Sequence, residues 1–492
     1  MRKTMLTGAS ILALGIAAPA SAQSVSDVDQ NGVGNAAAVM QSGSNTSDVD
    51  QDGDGNNADV DQAGTGNSSV VDQDAFGASA DVDQNGSGNS SAITQADANG
   101  VPVFDPTATV FQDGNANVSD IDQFSAGDAA LLNADVSQSG DSNLSDVVQS
   151  ATGALSGDLN ANVMQANGAT SFVTQSATGD GSNNADAFVN QNGESTSNVT
   201  QSLNNTGVNS FFASVNQTGD GHSSNVTQQA RTNPPGVGDN SLAALVNQTG
   251  SDNSSDIMQT GRTSLAVVTQ SNSDNDSFVV QGGFGQEAYV NQSGTDNYSD
   301  VEQRGFSELA DVDQSGDRNF AFVTQVSKTN RSDAYVDQSG DDNLADILQN
   351  GGSQNLAVVD QDGTNSSATI VQTRDLVVDN DGSWLDQATI TQGAGADQNT
   401  ASILQRGPGN GGNPTLNVAS ISQDGGLFNV SSISQDGEQN VATNTQLGSN
   451  LTSMILQDGL ANTATVTQTG DGHTSNVDQI GSGNTATVNQ GL

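Results

Sequence analysis

The sequence contains no cysteine and few aromatic or basic residues. Without cysteine, the 492-residue chain can form neither disulfides nor thiolate metal sites, so its stability must come from another source. Aromatic residues make up 4% of the chain and hydrophobic residues 33%, which is too little for large globular cores. Ten lysines and arginines stand against 57 acidic residues, for a net charge of −47. This charge argues against nucleic acid as a partner and favours cations or basic surfaces. Such a composition predicts disorder unless a repeat overrides it.

The N-terminus has the features of a secretory signal peptide. Arg2 and Lys3 precede a short apolar stretch, and the small residues Ala20 to Ala22 follow it as a cleavage site. We therefore predict a signal peptide over residues 1–22, a mature chain from Gln23, and export from a bacterial cytoplasm. Because no stretch is long and apolar enough to span a bilayer, we expect no transmembrane segment in the mature chain.

One unit of about eleven residues repeats along the chain. Three copies read "QIGSGNTATVNQ" from Gln479, "QDGLANTATVTQ" from Gln457 and "QAGTGNSSVVDQ" from Gln62. Asparagine, alanine or serine, valine or isoleucine, and glutamine occupy every second position, so a β-strand would place these four on one face. Aspartate, threonine and serine stand between them and would face water. The glycine-containing stretch after each glutamine supplies a tight turn.

The spacing of the units indicates two strands in each rung of a coil. Asn253, Asn275, Asn297 and Asn319 recur at every second unit, so the true period is two units long. From Gln95 to Gln248 the glutamine intervals alternate between long and short, so all extra residues enter at every second turn. The predicted fold is all-β: a two-sheet parallel β-solenoid of about 22-residue rungs, with two strand-turn units per rung. Each rung is stabilised by its neighbours.

The regularity of the repeat divides the chain into blocks. The predicted blocks are a signal peptide (1–22), a β-solenoid block (23–232) with insertions along one edge over 95–232, a loop (233–247), a regular β-solenoid block (248–372), an irregular, loop-rich stretch (373–422), and a C-terminal regular β-solenoid block (423–492).

The candidate functional residues face inward, and their predicted role is stacking. Identical inward side chains would form columns, in which amides bond along the axis and aliphatic groups pack. The predicted column residues are Asn253, Asn275, Asn297, Asn319, Gln259, Gln281, Gln303, Gln325, Asn462, Ala464, Val466, Gln468, Asn484, Ala486, Val488 and Gln490.

The two histidines, His222 and His473, lie in nearly identical stretches, "TGDGHSSNVTQ" and "TGDGHTSNVDQ". Both take the asparagine position of the unit, so we interpret them as polar variants within a column; a metal-binding or catalytic role is the alternative. Catalysis would require a base, a nucleophile and oxyanion donors that converge in a pocket, which a thin stack of two sheets lacks. We therefore predict that the protein is not an enzyme.

The outward aspartates raise the question of calcium. Asp52, Asp54, Asp59 and Asp61 lie in or next to the oxygen-rich stretch "QDGDGNN", and calcium takes six to eight oxygen ligands. They are weak calcium candidates; the alternative is a solvated acidic face that limits premature aggregation. No other cofactor or metal is expected.

The spacing of the repeat resembles that of the curlin repeat, S-x5-Q-x-G-x2-N-x-A-x3-Q. Ser264 to Gln281, "SLAVVTQSNSDNDSFVVQ", follows it with asparagine at the glycine position and serine at the alanine position. The resemblance implies a secreted bacterial subunit that polymerises into curli, the amyloid fibres of biofilm matrix. It also implies an outer-membrane export pore and a nucleator subunit as partners. The chain departs from typical curlins in its many repeats, its acidity, and a repeat that starts at Gln30 with no separate export segment.

The leading hypothesis is therefore an extracellular or cell-surface fibre subunit that acts in cell adhesion and biofilm matrix. It would self-associate by stacking the strand edges of its end rungs. The alternative is a monomeric acidic β-solenoid that serves as an adhesin or calcium-binding surface protein.

Overall fold

The structure, a computed structural model, describes residues 23–98, 105–126, 131–152, 157–178, 183–203, 209–230, 240–326, 331–351, 354–374, 385–407 and 416–491. These residues form an all-β parallel β-solenoid of about 17 turns and contain no helix. They accordingly include no helix that is long and apolar enough to cross a membrane. The predicted all-β solenoid class is confirmed. The signal peptide predicted over 1–22 lies outside the described residues.

The chain divides into two compact units, Met1–Asn247 and Gln248–Leu492. The strands up to residue 251 are β1 (Val25–Asn31), β2 (Ala36–Asp52), β3 (Asn57–Asp74), β4 (Ser79–Ser87), β5 (Ser90–Asp97), β6 (Thr107–Asn115), β7 (Val118–Ser125), β8 (Leu132–Ser139), β9 (Leu144–Ala151), β10 (Leu159–Ala166), β11 (Thr170–Ala177), β12 (Asn183–Asn192), β13 (Thr196–Leu203), β14 (Asn209–Asp220), β15 (Ser223–Gln229) and β16 (Asn240–Ser251).

The remaining strands lie in the second unit. They are β17 (Ser254–Gln259), β18 (Ser264–Gln270), β19 (Asp276–Gln281), β20 (Glu287–Gln292), β21 (Tyr298–Gln303), β22 (Leu309–Gln314), β23 (Phe320–Gln325), β24 (Asp333–Gln338), β25 (Leu344–Asn350), β26 (Leu356–Gln361), β27 (Ser367–Arg374), β28 (Gln387–Gln392), β29 (Ala396–Asp397), β30 (Thr400–Gly407), β31 (Val418–Gln423), β32 (Gly426–Leu427), β33 (Val430–Glu438), β34 (Val441–Leu447), β35 (Thr452–Leu460), β36 (Thr463–Thr469), β37 (Thr474–Ser482) and β38 (Thr485–Gln490).

Most strands pair in parallel with the strand two further along the chain. In the second unit β17 pairs with β19 and β19 with β21, so that Ile257, Val279 and Val301 stand in one row. In the first unit, where the chain carries insertions, β9 pairs with β11 in the same way and sets Val147 beside Val173. Equivalent positions of the repeat therefore face each other whatever the intervening length. Strands β2 and β3 each cover two repeat units, because their ladder continues through the intervening corner.

The core follows from the two-residue alternation of the strands. In β19, Ser277, Val279 and Gln281 are buried, whereas the intervening side chains are half-buried or exposed. The first unit has an additional apolar column that the repeat pattern did not predict. It comprises Ala75, Ala78, Leu132, Ala151, Leu159, Ala177, Ala185, Leu203, Phe211, Ala230 and Leu242. Several of its members begin or end strands beside the insertions, where the extra chain length brings one more apolar residue inward.

Two predicted boundaries need correction. Residues 233–239 of the loop predicted over 233–247 lie outside the described residues, but 240–247 form the first part of β16, because Leu242, Ala244 and Val246 alternate inward there. The stretch predicted as irregular over 373–422 contains the regular strands β28, β30 and β31. Their glutamines keep the register of the ladder, although the spacing along the sequence is irregular.

The corners between strands depend on backbone conformations with positive φ. Gly43 has a φ of 107°, and a Cβ atom there would lie 1.7 Å from the carbonyl oxygen of Gly64 in the next corner. Glycine is required at this position because adjacent corners are in close contact. The residue that precedes the asparagine position also adopts left-handed φ, as Asp274 does at 58° before Asn275.

Candidate functional site: the buried amide columns

Buried glutamine side chains form hydrogen-bonded columns along the ladder. Gln259, Gln281, Gln303 and Gln325 form one column, in which each Nε2 donates to the Oε1 of the next residue at 2.8, 2.9 and 2.9 Å. A carboxamide carries its donor and acceptor on opposite sides. One hydrogen bond per step therefore fits the ~4.8 Å spacing of adjacent strands. The four predicted glutamines thus lie in one continuous column.

The insertions of the first unit do not interrupt its columns. Gln73, Gln95, Gln123 and Gln149 are joined by three Nε2-to-Oε1 hydrogen bonds of 2.8 Å each. Their separations along the chain are 22, 28 and 26 residues. The side chains therefore keep one register while the connecting segments change in length.

Each glutamine also uses its second amide proton. Gln281 Nε2 donates to the carbonyl oxygen of Leu265 in β18 at 2.9 Å, and Gln303 Nε2 donates to that of Glu287 in β20 at 2.9 Å. These bonds connect each column to the strand that lies between its members in sequence. Because both donors and the acceptor are paired, burial of the amide leaves none of these groups unsatisfied.

The asparagine columns join the backbone of successive corners. Asn253, Asn275, Asn297 and Asn319 are buried, and each Oδ1 accepts the backbone N–H of the next asparagine at 3.1, 3.1 and 2.9 Å. The Nδ2 group of Asn297 donates to a carbonyl oxygen of the following corner, that of Gly316, at 2.7 Å. Asparagine therefore satisfies corner backbone groups that are not paired within the strands.

The predicted residues of the last block follow the same arrangement. Gln468 Nε2 donates to Gln490 Oε1 at 2.7 Å, and Asn484 N donates to Asn462 Oδ1 at 3.0 Å. Ala464 and Val466 are fully buried. Their partners in the last strand, Ala486 and Val488, are half-buried, since that strand pairs on one side. Strand β38 therefore presents a partly exposed inward face.

Serines at the alanine or serine position behave differently from the amides. Ser119, Ser145, Ser171 and Ser197 are stacked in register and buried. None of the described residues provides a hydrogen-bond partner for their Oγ atoms. At the ~4.8 Å spacing of adjacent strands these four hydroxyls do not bond to one another, unlike Ser299 and Ser277, whose Oγ atoms lie 3.4 Å apart. We conclude that these four serines fit the column by their small volume and not by hydrogen bonding.

The two histidines occupy the asparagine position, as the repeat predicts. His222 is 1% exposed, and its Nε2 lies 3.1 Å from the carbonyl oxygen of Thr218 in the preceding corner. His473 is half-buried, and its carbonyl oxygen accepts the backbone N–H of Thr452 at 2.8 Å. Among the described residues, no group of three or more histidines and acids is arranged to hold a metal ion.

The four calcium candidates fall into two settings. Asp52 Oδ1 accepts a hydrogen bond from Asn31 Nδ2 at 3.0 Å, and Asp54 Oδ1 accepts one from the backbone N–H of Val33 at 2.7 Å. Both carboxylates therefore bind residues of the neighbouring corner. Asp59 and Asp61 face outward on β3, beside acidic partners on β4. Burial raises the pKa of Asp61, and the adjacent carboxylates raise it further. Calcium binding stays a prediction.

Two buried carboxyl groups take the asparagine position. Glu308 Oε2 accepts from Gly305 N at 2.9 Å and from Gln286 Nε2 at 3.2 Å. Asp386 Oδ1 accepts the backbone N–H of Asn417 at 2.9 Å, and burial raises the pKa of Asp386 to about 6. The eleven-residue spacing of the repeat places Glu308 at the asparagine position in the sequence. The irregular spacing around Asp386 does not show that Asp386 takes the same position.

A parallel β-solenoid whose interior consists of amide and aliphatic columns belongs to the solenoid class of repeat proteins. The family model for the curlin associated repeat matches residues 44–74, 309–340, 340–373 and 461–491. The chain is therefore a curlin-repeat protein. No curated protein matches the chain at a significant level.

Proposed function

We propose that the protein is a structural subunit of an extracellular curli-like amyloid fibre that acts in cell adhesion and biofilm matrix, and that it is not an enzyme. Curlin repeats are typical of extracellular structural proteins and support self-assembly. The observation that carries the proposal is the continuity of the amide columns, which persist across long insertions, as between Gln372 and Gln405, which lie 33 residues apart.

Each turn of the solenoid comprises, in this proposal, two strand-corner units that face each other as two sheets. Gln259 and Gln281 are successive members of one column and lie 22 residues apart, which supports a turn of two strand-corner units of about eleven residues each. The bond from Gln281 to the carbonyl of Leu265 supports it as well, because it joins a column to the strand between its members.

Growth proceeds by addition of strands to the exposed ends of the ladder. Unpaired strand edges act as templates for further strands. In β38, Val488 and Gln490 are half-buried, whereas the equivalent Val466 and Gln468 are fully buried. The glutamine columns also have a direction, since each Nε2 donates toward the later strand. A second copy stacked head to tail would continue the same pattern of donors and acceptors.

Export and nucleation depend on other proteins. We propose that a signal peptide directs the chain out of the cytoplasm, that an outer-membrane pore releases it, and that a nucleator subunit starts assembly at the cell surface. Nucleic acid is not a proposed partner, because the net charge of −47 opposes binding to phosphate.

The proposal is tested by assembly of the purified mature chain, followed by size exclusion and thioflavin fluorescence. Val488→Asp places a charge on the exposed inward face of β38, and we expect it to slow fibre growth at least tenfold. Thr487→Asp is the matched control, since Thr487 faces outward on the same strand, and growth should be unchanged. Equal growth of both variants would contradict end addition through β38, and a persistent soluble monomer would contradict the fibre function.

The second candidate function is a monomeric adhesin or calcium-binding surface protein. It is favoured by the paired outward carboxylates of β3 and β4, such as Asp59 beside Asp81. Burial raises the pKa of Asp81, the adjacent carboxylates of Asp83 and Asp59 raise it further, and calcium would neutralise that repulsion. Folding that requires calcium, measured by circular dichroism during calcium titration, would support this candidate.

A further inference from the structure

One outward face of the second unit carries almost no charge. It is formed by β23, β25, β27, β30, β33 and β35, which pair consecutively in register. Each of these described strands has three outward positions before its glutamine, and Asp346 is the one charged residue among them. The others are apolar, serine or threonine. We call these outward positions the apolar face; its charged rim beyond the glutamines includes Arg406, Asp436 and Asp458.

Large side chains of the apolar face are accessible to solvent. Phe320 is 45% exposed, Leu344 38%, Val430 45% and Met454 48%. Contiguous apolar surface on a soluble protein marks an interaction site more often than scattered apolar residues do. The apolar face is therefore a candidate interface.

Of the strands that alternate in sequence with those of the apolar face, β24 and β26 have an acidic outward surface, as does the preceding β22, whereas the described residues of β28, β31 and β34 direct no charged side chain outward. Strands β22, β24 and β26 carry outward carboxylates at Asp311, Asp313, Asp333, Asp337 and Asp360. Burial and neighbouring acids raise the pKa of Asp311 and Asp337, which indicates that these carboxylates already repel one another. A second copy of this chain would be repelled there. A cationic partner would be attracted there and not to the apolar face.

We propose that the apolar face packs against the apolar face of a second copy and joins two filaments side by side. This inference rests on the proposed fibre function. Flat sheets with identical residues in register form dry, interdigitated contacts about 10 Å apart. An equally acidic chain can approach this face without meeting a row of carboxylates. The occupant is thus a copy of the same surface.

The size of the face explains why pairing would require filaments. Six strands about 20 Å long and ~4.8 Å apart cover roughly 580 Å² per copy. Stable dimers bury about 800 Å² per partner, so two isolated chains would associate weakly. Filaments would repeat the contact with every subunit, and the pairing would become stable through its multiplicity.

Asp346 provides a sensitive position within the apolar face. It stands between Phe322 and Thr369 in the same outward row, and the described outward side chains of β23 and β27 include no charged group. Pairing would bring this carboxylate against an apolar surface, which disfavours the charged form. We expect Asp346→Asn to strengthen pairing.

The matched test places the same charge on either surface. Leu344→Asp alters the apolar face, and Leu356→Asp alters the equivalent position of β26 on the acidic surface. Aspartate is compatible with this position, because Asp333 occupies it in β24 and pairs with Leu309 and Leu356. The fraction of laterally paired filaments is counted in electron micrographs, and growth is followed by thioflavin fluorescence.

We expect Leu344→Asp to reduce the paired fraction at least tenfold with growth unchanged, and Leu356→Asp to leave both unchanged. Equal effects of the two variants, or none, would overturn the proposal. The proposal would also be overturned if the wild type bound zwitterionic vesicles, Leu344→Asp abolished that binding, and no filaments paired. That result would assign the apolar face to lipid. If no fibres form, the fibre function fails by itself. In that case sedimentation still tests the interface. Weak dimers that form with the wild type and Leu356→Asp, but not with Leu344→Asp, would support it.

Discussion

Replacing Gln281 with methionine interrupts one amide column with little change in side-chain volume. The substitution removes three hydrogen bonds: the one that Gln259 Nε2 donates to Gln281, and those that Gln281 Nε2 donates to the buried Oε1 of Gln303 and to the part-buried carbonyl oxygen of Leu265. A buried polar group that loses its hydrogen bond costs about 1–3 kcal/mol, so the three losses together give about 3 kcal/mol. The loss is local because each turn of a solenoid is stabilised mainly by its neighbours.

Hydrogen exchange measured by mass spectrometry resolves this local effect. About 3 kcal/mol corresponds to a roughly hundredfold larger opening equilibrium, so amides in β17, β19 and β21 should exchange about a hundredfold faster. Val280→Met is the control, since it introduces the same residue one position away on the outward side. Equal protection in the two variants would refute the assignment of stability to the amide columns.

Three further predictions concern the serine column, the buried acid and the corners. Ser171→Ala should raise the free energy of unfolding by about 1 kcal/mol, because none of the described residues is a partner for the Oγ of Ser171. Ser299→Ala should not raise it, because the Oγ of Ser299 lies 3.4 Å from the Oγ of Ser277. Urea unfolding of the two variants measures both effects. Burial raises the pKa of Asp386 from 3.8 to about 6, so the protonated carboxyl group stabilises the folded state below pH 3.8, and this stabilisation is lost as the pH rises through 6. Asp386→Asn should reduce the change of melting temperature with pH over this range. Gly43→Ala should destabilise far more than Gly55→Ala, because no described atom lies within 4 Å of a Cβ at Gly55; similar melting temperatures would contradict the corner contact.

The repeat pattern predicts the inward face but not the partner of each polar atom. An alternation of two residues and an eleven-residue unit place Gln281 and Val279 on one side of a strand, and the structure buries both. The same pattern treats serine and asparagine as similar column residues. Only the strand spacing shows that a carboxamide reaches the next strand, whereas the Oγ of Ser171 does not.

The remaining features depend on contacts between residues far apart in sequence. The apolar column that includes Leu159 and Phe211 forms because insertions bring extra residues to one edge, which an eleven-residue count does not register. Asp386 follows an irregular spacing, so only the strand register reveals that it takes an asparagine position. The outward rows of the apolar face become visible only when alternate strands are aligned with one another.

Diffraction from aligned fibres of the mature chain tests the central claim most directly. If the solenoid stacks end to end through its amide columns, the strands lie perpendicular to the fibre axis, and a reflection at ~4.8 Å appears along that axis. A fibre with this reflection on the equator, or with no oriented ~4.8 Å reflection, would contradict assembly by continued strand stacking.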